Sequence, residues 1–342
     1  MAASHSKQPS AAPKSYQLPN LLSYAKPFGL RTNRHCRAAS RASETWFLQG
    51  FPEPQPNAAG GQPSREEDVS IRRQLEVRGT KPGLLAALCY PVCDASQLRL
   101  VTDFLSLLMI ENGTALRTPA NGLVDPRCTD LCTRVSRLSA PSCFFPALHE
   151  FRAAQLQLES QLDTSQWDFE TFIENRRKLS GLHMAFALIE TVMGLTLRVD
   201  ATDVDSDVAR LTRDAADIVA WSLDILSFHV THRSASSPNI LQTLMQQRGI
   251  SLAAATCAAG VLVKEKVDSF LQNEATVLSS FQTLSHPDDE ENWESREDDT
   301  RTYVQGLRDW IAGAMHWAYE NEMWFGGKGE AVREFGWVFL KD

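Results

Sequence analysis

From Gly83 to the C-terminus, apolar residues return every three or four positions. Leu84, Leu85 and Leu88 begin the pattern, and Leu100, Phe104, Leu107 and Leu108 continue it. This spacing lays one apolar stripe along a helix of 3.6 residues per turn. The same rhythm predicts helices over Phe144–Leu162, Trp167–Asn175, Leu182–Leu195, Asp203–Arg213, Ala215–Thr231, Ile240–Gln247, Leu252–Leu284 and Asp298–Glu322. Pro and Gly fall mostly between these segments, where helices stop. No alternation of apolar and polar residues is long enough to make a useful strand. The pattern therefore predicts an all-α single domain.

The ends and two interruptions read differently. Residues 1–16 are rich in Ser, Ala, Pro, Lys and Gln and predict a disordered tail ahead of a domain spanning 17–342. Residues 51–75 open with three Pro and a Gly-Gly and predict a surface loop or insertion. Residues 285–300 contain DDEENWESREDD and predict a solvated acidic loop between two late helices.

Composition narrows the class. The 342-residue chain is 43% hydrophobic with a net charge of −8. That balance fits a globular protein and argues against a nucleic-acid partner, which a basic patch would mark. The longest apolar run, Leu252–Val263, falls short of the roughly 18 residues that cross a bilayer, so no membrane span is expected. The N-terminus lacks the apolar core of a secretory signal. Seven cysteines, an odd number in a chain of this size, predict free thiols in a reducing cytoplasm. Cys89 and Cys93, like Cys128 and Cys132, stand four apart and would share one helix face.

The candidate chemistry lies in five stretches. Leu18–Trp46 carries a Leu-Pro-x-Leu opening and an Arg-x-Asn-x-His element. Asp103–Leu116 reads DFLSLLMIENGTAL. Phe172–Glu190 reads FIENRRKLSGLHMAFALIE, and Val219–Leu252 holds LDILSFHVTH followed by NILQTLMQQRGISL. Trp310–Arg333 carries Trp310, Gly313, Trp317 and Glu320 in a W-x2-G-x3-W-x2-E pattern. Together these resemble the class I terpene synthases, the fungal sesquiterpene branch in particular, from Leu18 to the end of the chain. The resemblance implies an α-helical fold around a central apolar pocket. It also implies a prenyl diphosphate or terpenoid as ligand, with Mg2+ held by carboxylates on two facing helices.

The family's metal-binding positions have changed in this chain. The first metal site of the family would fall on Asn112, Gly113 and Leu116, with Glu111 one residue early. The second would fall on Leu223, Ser227 and Thr231, one line on a helix at i, i+4 and i+8. A Leu cannot ligate, and hard cations want several oxygen donors. The family's basic residue before its last acid is Val230, and its Arg-Tyr clamp on the diphosphate is Met323-Trp324. Arg177 stands 46 positions before Leu223, as the family's diphosphate sensor does, flanked by Arg176 and Lys178. Mg2+ is thus implied by family and poorly provided for here, with Glu111, Asn112 and Ser227 as the remaining candidate ligands. His229 and His232 offer an alternative pair, better suited to zinc.

Arg177, Asp224 and Ser227 are the candidate catalytic residues, with Arg177 either reading an anion or pairing with Asp224. Phe104, Leu108, Trp317, Trp324 and Arg176 are the candidate substrate contacts. Trp310, Trp317 and Trp324 recur every seven residues and would share one helix face. The leading expectation is an atypical terpene cyclase acting on a preformed or oxidised sesquiterpenoid. It would cyclise, rearrange, or trap a cation with water, an amine or another nucleophile. The alternatives are a Mg2+-dependent sesquiterpene synthase on farnesyl diphosphate with a reduced ligand set, and a non-catalytic terpenoid-binding or cyclase-partner protein.

Overall fold

A computed structural model describes residues 15–49, 65–117, 124–138, 143–160, 167–197, 206–233, 238–283 and 290–340. The described chain is a bundle of helices, as the periodicity predicts. An N-terminal group comprises α1 (Leu21–Ala25), α2 (Cys36–Phe47), α3 (Arg65–Thr80), α4 (Pro82–Cys89) and α5 (Ala95–Met109). A 3-10 segment, Ile110–Leu116, prolongs α5 and is followed by α6 (Pro126–Ser136), α7 (Phe144–Ser160), α8 (Phe169–Leu179) and α9 (Leu182–Met193). The second half holds α10 (Asp207–Thr231), α11 (Ile240–Arg248), α12 (Leu252–Thr283), α13 (Glu290–Glu320), α14 (Glu322–Phe325) and α15 (Gly329–Phe335).

Helix α10 lies at the centre and packs against α8, α9, α11, α12, α13 and α14. From Asp214 to His229 nearly every residue on it is buried. Ser206 caps its start, accepting from the Ala209 amide at 3.2 Å. The sequence predicts a break at Asp214, but the helix runs through it. Asp214 is anchored by Lys266 Nζ at 2.8 Å, Ser269 Oγ at 2.8 Å and Asn273 Nδ2 at 3.0 Å, all from α12. A buried carboxylate satisfied by a neighbouring helix is no reason for a helix to stop.

Caps set the other starts. Asp94 accepts from the Ser96 and Gln97 amides while the Gln97 side chain accepts from the Asp94 amide, a full capping box for α5. Asp168 and Asn239 cap α8 and α11 by accepting from the Thr171 and Leu241 amides. Gly181 joins α8 to α9 with φ +72°, a backbone shape that costs an L-residue with a Cβ about 1–2 kcal/mol. Leu108, at the end of α5, lies against it.

Four expectations need correction. The loop expected over 51–75 does not hold from Arg65, because Arg65–Thr80 is helical; residues 51–64 lie outside the description. The acidic stretch 285–300 is helical from Glu290, where it forms the start of α13; residues 284–289 lie outside the description. Ser15 and Tyr16, placed in the tail, belong to a strand, β1 (Ser15–Gln17), paired antiparallel with β2 (Trp337–Phe339). Tyr16 faces inward from it, edge-on to Phe228 of α10 at 6.0 Å. Finally, Trp310 and Trp317 are on α13, but the chain breaks at Asn321 and Trp324 sits on α14. Trp324 nevertheless returns to Trp317, ring centroids 5.4 Å apart.

Gly181→Ala should lower stability by about 2 kcal/mol, the sum of the left-handed penalty and the displacement of Leu108. Denaturant unfolding monitored by circular dichroism measures it, and an unchanged midpoint would contradict the assigned turn.

Candidate active site

Two arginines of α8 face two buried carboxylates of α10. Arg176 donates to Asp224, from Nε to both carboxylate oxygens at 3.1 Å and from Nη2 to Oδ1 at 2.7 Å. Arg177 donates to Asp217 through Nε and Nη2, each at 2.7 Å, in a parallel two-bond fork. Asp217 and Asp224 are seven residues apart, two helical turns, and so share a face of α10. Asp217 also lies 3.3 Å from Lys266. The expected Arg177–Asp224 pair is therefore not formed: Arg176 takes Asp224, and Arg177 takes an acid that the sequence reading overlooked. The signal for Asp217 was available, since an acid amid the apolar run AADIVAW needs a cation.

Asp224 does more than meet Arg176. Its Oδ2 accepts from the Ile240 amide at 3.1 Å, and its own carbonyl accepts from Asn239 Nδ2 at 2.9 Å. One residue thus ties α8, α10 and the start of α11. Burial pushes its carboxyl above the usual range, and the Arg176 guanidinium pulls the other way.

The donor line on α10 fits a metal poorly. Leu223 is half-buried and carries no donor. The Thr231 hydroxyl donates to the Ser227 carbonyl at 3.2 Å, back along its own helix. Ser227 is almost fully buried, 8% exposed. His229 stacks on Phe325 at 5.0 Å, with Nε2 3.0 Å from the Trp324 carbonyl oxygen, and His232 lies beside Phe228. Each imidazole ring lies against an aromatic ring. No group of three or more His, Cys, Asp or Glu suited to a metal ion occurs among the described residues.

The first motif ends α5 in a distorted turn. Glu111 has φ +52° and Gly113 φ +70°. The Glu111 carboxylate pairs with Arg73 of α3, and its amide donates to Glu76 of the same helix at 2.8 Å. A non-glycine residue held in the left-handed region needs such outside support. Nothing is described for the Asn112 side chain. Arg73 escaped the sequence reading because it fell inside the expected loop.

The apolar candidates divide. Phe104 and Trp317 are sealed in the core, Phe104 edge-on to Phe144 at 5.8 Å and Trp317 donating from Nε1 to the Thr80 carbonyl at 2.8 Å. Leu108, Leu223 and Trp324 are only partly buried. Leu108 lies against Gly181 between α8 and α9, and Trp324 of α14 lies against Trp317. Arg176 meets Asp224 across α8 and α10, and Arg73 meets Glu111 across α3 and the segment after α5. The geometry brings Arg176 and Asp224 into contact and leaves Arg177 engaged one helical stretch below.

Comparison with known proteins bears on the whole chain. Residues 95–269 match the family model described as terpene synthase family 2, C-terminal metal binding. Sesquiterpene synthase 6 of Postia placenta is 30% identical over 353 residues, covering 94% of each chain. Sesquiterpene synthase Agr1 of Cyclocybe aegerita is 28% identical, covering 95% of this chain and 94% of its own. Among solved structures, an α-eudesmol synthase superposes with a TM-score of 0.63 at 19% identity, over 85% of this chain and 97% of that one. A hedycaryol synthase bound to nerolidol gives 0.62, also at 19% identity, over 85% and 97%. At that identity the structural likeness establishes the fold.

Arg176→Met should cost about 3–5 kcal/mol, because it strands a buried carboxylate. Arg176→Lys should recover only part of this, since an ammonium cannot span both oxygens and the Nε contact. Equal stability of the Met variant and the parent in urea would show that the pair holds nothing.

Proposed function

The chain belongs to the class I terpene synthase family, and from that membership we propose that it converts farnesyl diphosphate into a cyclic sesquiterpene. It is a terpene cyclase of the lyase class. The carrying observation for the substrate is the 30% identity, spread over 94% of both chains, to a protein named a sesquiterpene synthase.

The family description names metal binding, and Mg2+ is the family's ion. The described side chains do not form the oxygen-rich set such an ion needs. Leu223 offers no donor, and Asp224 and Glu111 are already held by Arg176 and Arg73. The chain's own contribution in this reading is apolar and aromatic surface. Leu108, Leu223 and Trp324, each partly buried, are side chains that cannot quench a carbocation, and an indole face attracts positive charge. Arg176, fixed by three bonds to Asp224, holds its guanidinium without needing to reorganise.

A second reading has one observation in its favour. Positions 113, 116, 223 and 323, where the family places acids, a metal-binding Asn and a diphosphate-clamping Arg, are Gly, Leu, Leu and Met. Each change removes a group used to hold or ionise a diphosphate. On that ground a preformed or oxidised sesquiterpenoid, with its cation captured by water or an amine, remains the alternative substrate class.

Purified protein given farnesyl diphosphate and Mg2+ should release inorganic diphosphate and a cyclic product detectable by gas chromatography. Absence of both, with turnover of an oxidised sesquiterpenoid instead, would select the second reading. The double variant Leu223→Asn, Thr231→Glu should bind Mn2+ more tightly than the parent by electron paramagnetic resonance, because it restores two oxygen donors to the line around Ser227.

A further inference from the structure

A cavity of about 400 Å³ opens beside the start of α5, away from the family's metal motif. Its walls come from the turn at 89–93, the end of α9 and the middle of α13, and Arg31 also lines it. Helix α5 is 15 residues long, a rise of about 21 Å, so Glu111 and the altered ligand positions stand beyond its other end. Gln97 Nε2 donates to the Val192 carbonyl at 2.5 Å, which ties the start of α5 to the end of α9 at the cavity. The volume falls in the range of small-molecule sites. At about 30 Å³ of liquid volume per water, it equals roughly a dozen non-hydrogen atoms.

The walls are held in place without a ligand. Asn33 is buried and clasps the turn, donating from Nδ2 to the Tyr90 carbonyl at 3.0 Å and to the Cys93 carbonyl at 2.7 Å. The Tyr90 hydroxyl donates to the Ala185 carbonyl of α9 at 2.6 Å. Gly306 lets α13 approach α9 closely, since a Cβ there would stand 2.7 Å from Ile189 Cγ2. A site already shaped loses less freedom when a ligand arrives.

The lining is apolar with cationic groups beside it. Val92, Ile189 and Met193 supply hydrocarbon and thioether surface. Burial pushes the Cys89 thiol up and the Cys93 thiol up to about 12, so both sulfurs are neutral at pH 7. Arg31 forks onto Asp309 through Nε, at 2.9 Å, and Nη2. Arg301 forks onto Glu297 of its own helix through Nε at 2.9 Å and Nη2 at 2.5 Å. Both forks spend Nε and Nη2, and among the described residues neither Nη1 has a protein partner. The two arginine side chains are 42% and 43% exposed, whereas the Asp309 side chain is 3% exposed. The charge that the cavity presents is therefore positive, because Asp309 is covered and already met by Arg31 and by Gln305 Nε2 at 3.3 Å.

We propose that this cavity binds a small apolar molecule with one anionic head, a carboxylate or a phosphate. The carbon body lies against Val92, Ile189 and Met193, and the head accepts from the Nη1 groups of Arg301 and Arg31. A guanidinium suits either head, and a charge-assisted hydrogen bond is roughly twice as strong as a neutral one. The site is separate from the altered metal-ligand positions and stands apart from the identity of the cyclase substrate.

Decanoate, decyl phosphate and decanol are titrated into the full-length protein by isothermal calorimetry. At least one of the two anions should saturate a single site, and the tighter of them identifies the head. Decanol, the same body without charge, should bind roughly tenfold more weakly than that anion. Arg301→Gln removes a side chain bonded only within its own helix, so the fold should survive. It should weaken the anion about fivefold and leave decanol unchanged. A diazirine-tailed analogue of the tighter anion should label the tryptic peptide 302–308, which Arg301 and Arg308 bound and which holds Thr302, Gln305 and Gly306 of the lining. That readout needs no variant. Failure of both anions to bind, decanol binding as tightly as the anion, an Arg301→Gln protein with unchanged affinity, or labelling confined to peptides outside the lining would each overturn the proposal.

Discussion

The structure depends on neutralising carboxylates inside a hydrophobic bundle. Helix α10 is buried over most of its length, yet it carries Asp214, Asp217 and Asp224. An isolated charge in such a place is too costly to persist, so each must recruit partners. Asp214 recruits α12, Asp217 recruits α8 and α12, and Asp224 recruits α8 and α11. The three acids fix which helices surround α10 and at what height, while apolar packing supplies the driving force. A forked guanidinium tolerates little rotation, so the two Arg–Asp pairs also set the register of α8 on α10.

The same contacts limit what the site can do. In a family whose members act on diphosphates, the acids and amides near the mouth are expected to be free to meet ions and phosphate. In this chain they are engaged with protein. Asp224 serves as a joint, Glu111 is clasped by α3, and Thr231 turns back to its own helix. The partly buried side chains at the family's other positions are apolar: Leu108, Leu223 and Trp324. Such surface suits hydrocarbon rearrangement, in which water must be kept out and positive charge must meet π surface. It is less well furnished for pulling a pyrophosphate away. That tension separates the two substrate readings.

Much of the helical layout was legible because a period of 3.6 survives in the sequence wherever a helix faces a core. The all-α fold and the starts of α7, α9, α11 and α12 follow from apolar spacing. The reading went astray where local composition and tertiary context disagree. Residues 65–75 look like loop because charged residues follow a Pro/Gly run, and they are helical. The acidic stretch over 285–300 looks like a solvated loop by charge, yet from Glu290 it belongs to the helix that carries Trp310. Asp214 looks like a break and is not one, because α12 satisfies it.

The sequence by itself determined the helix periodicity and the motifs that mark the family, because these depend only on residue type and spacing along one chain. It did not determine which of two adjacent arginines meets which aspartate. Consecutive helical residues point about 100° apart, so that choice belongs to the angle at which α8 crosses α10. Nor could it show that Arg73 would come from a segment far upstream to hold Glu111. Those pairings depend on how separate helices pack in space, and only the tertiary structure decided them.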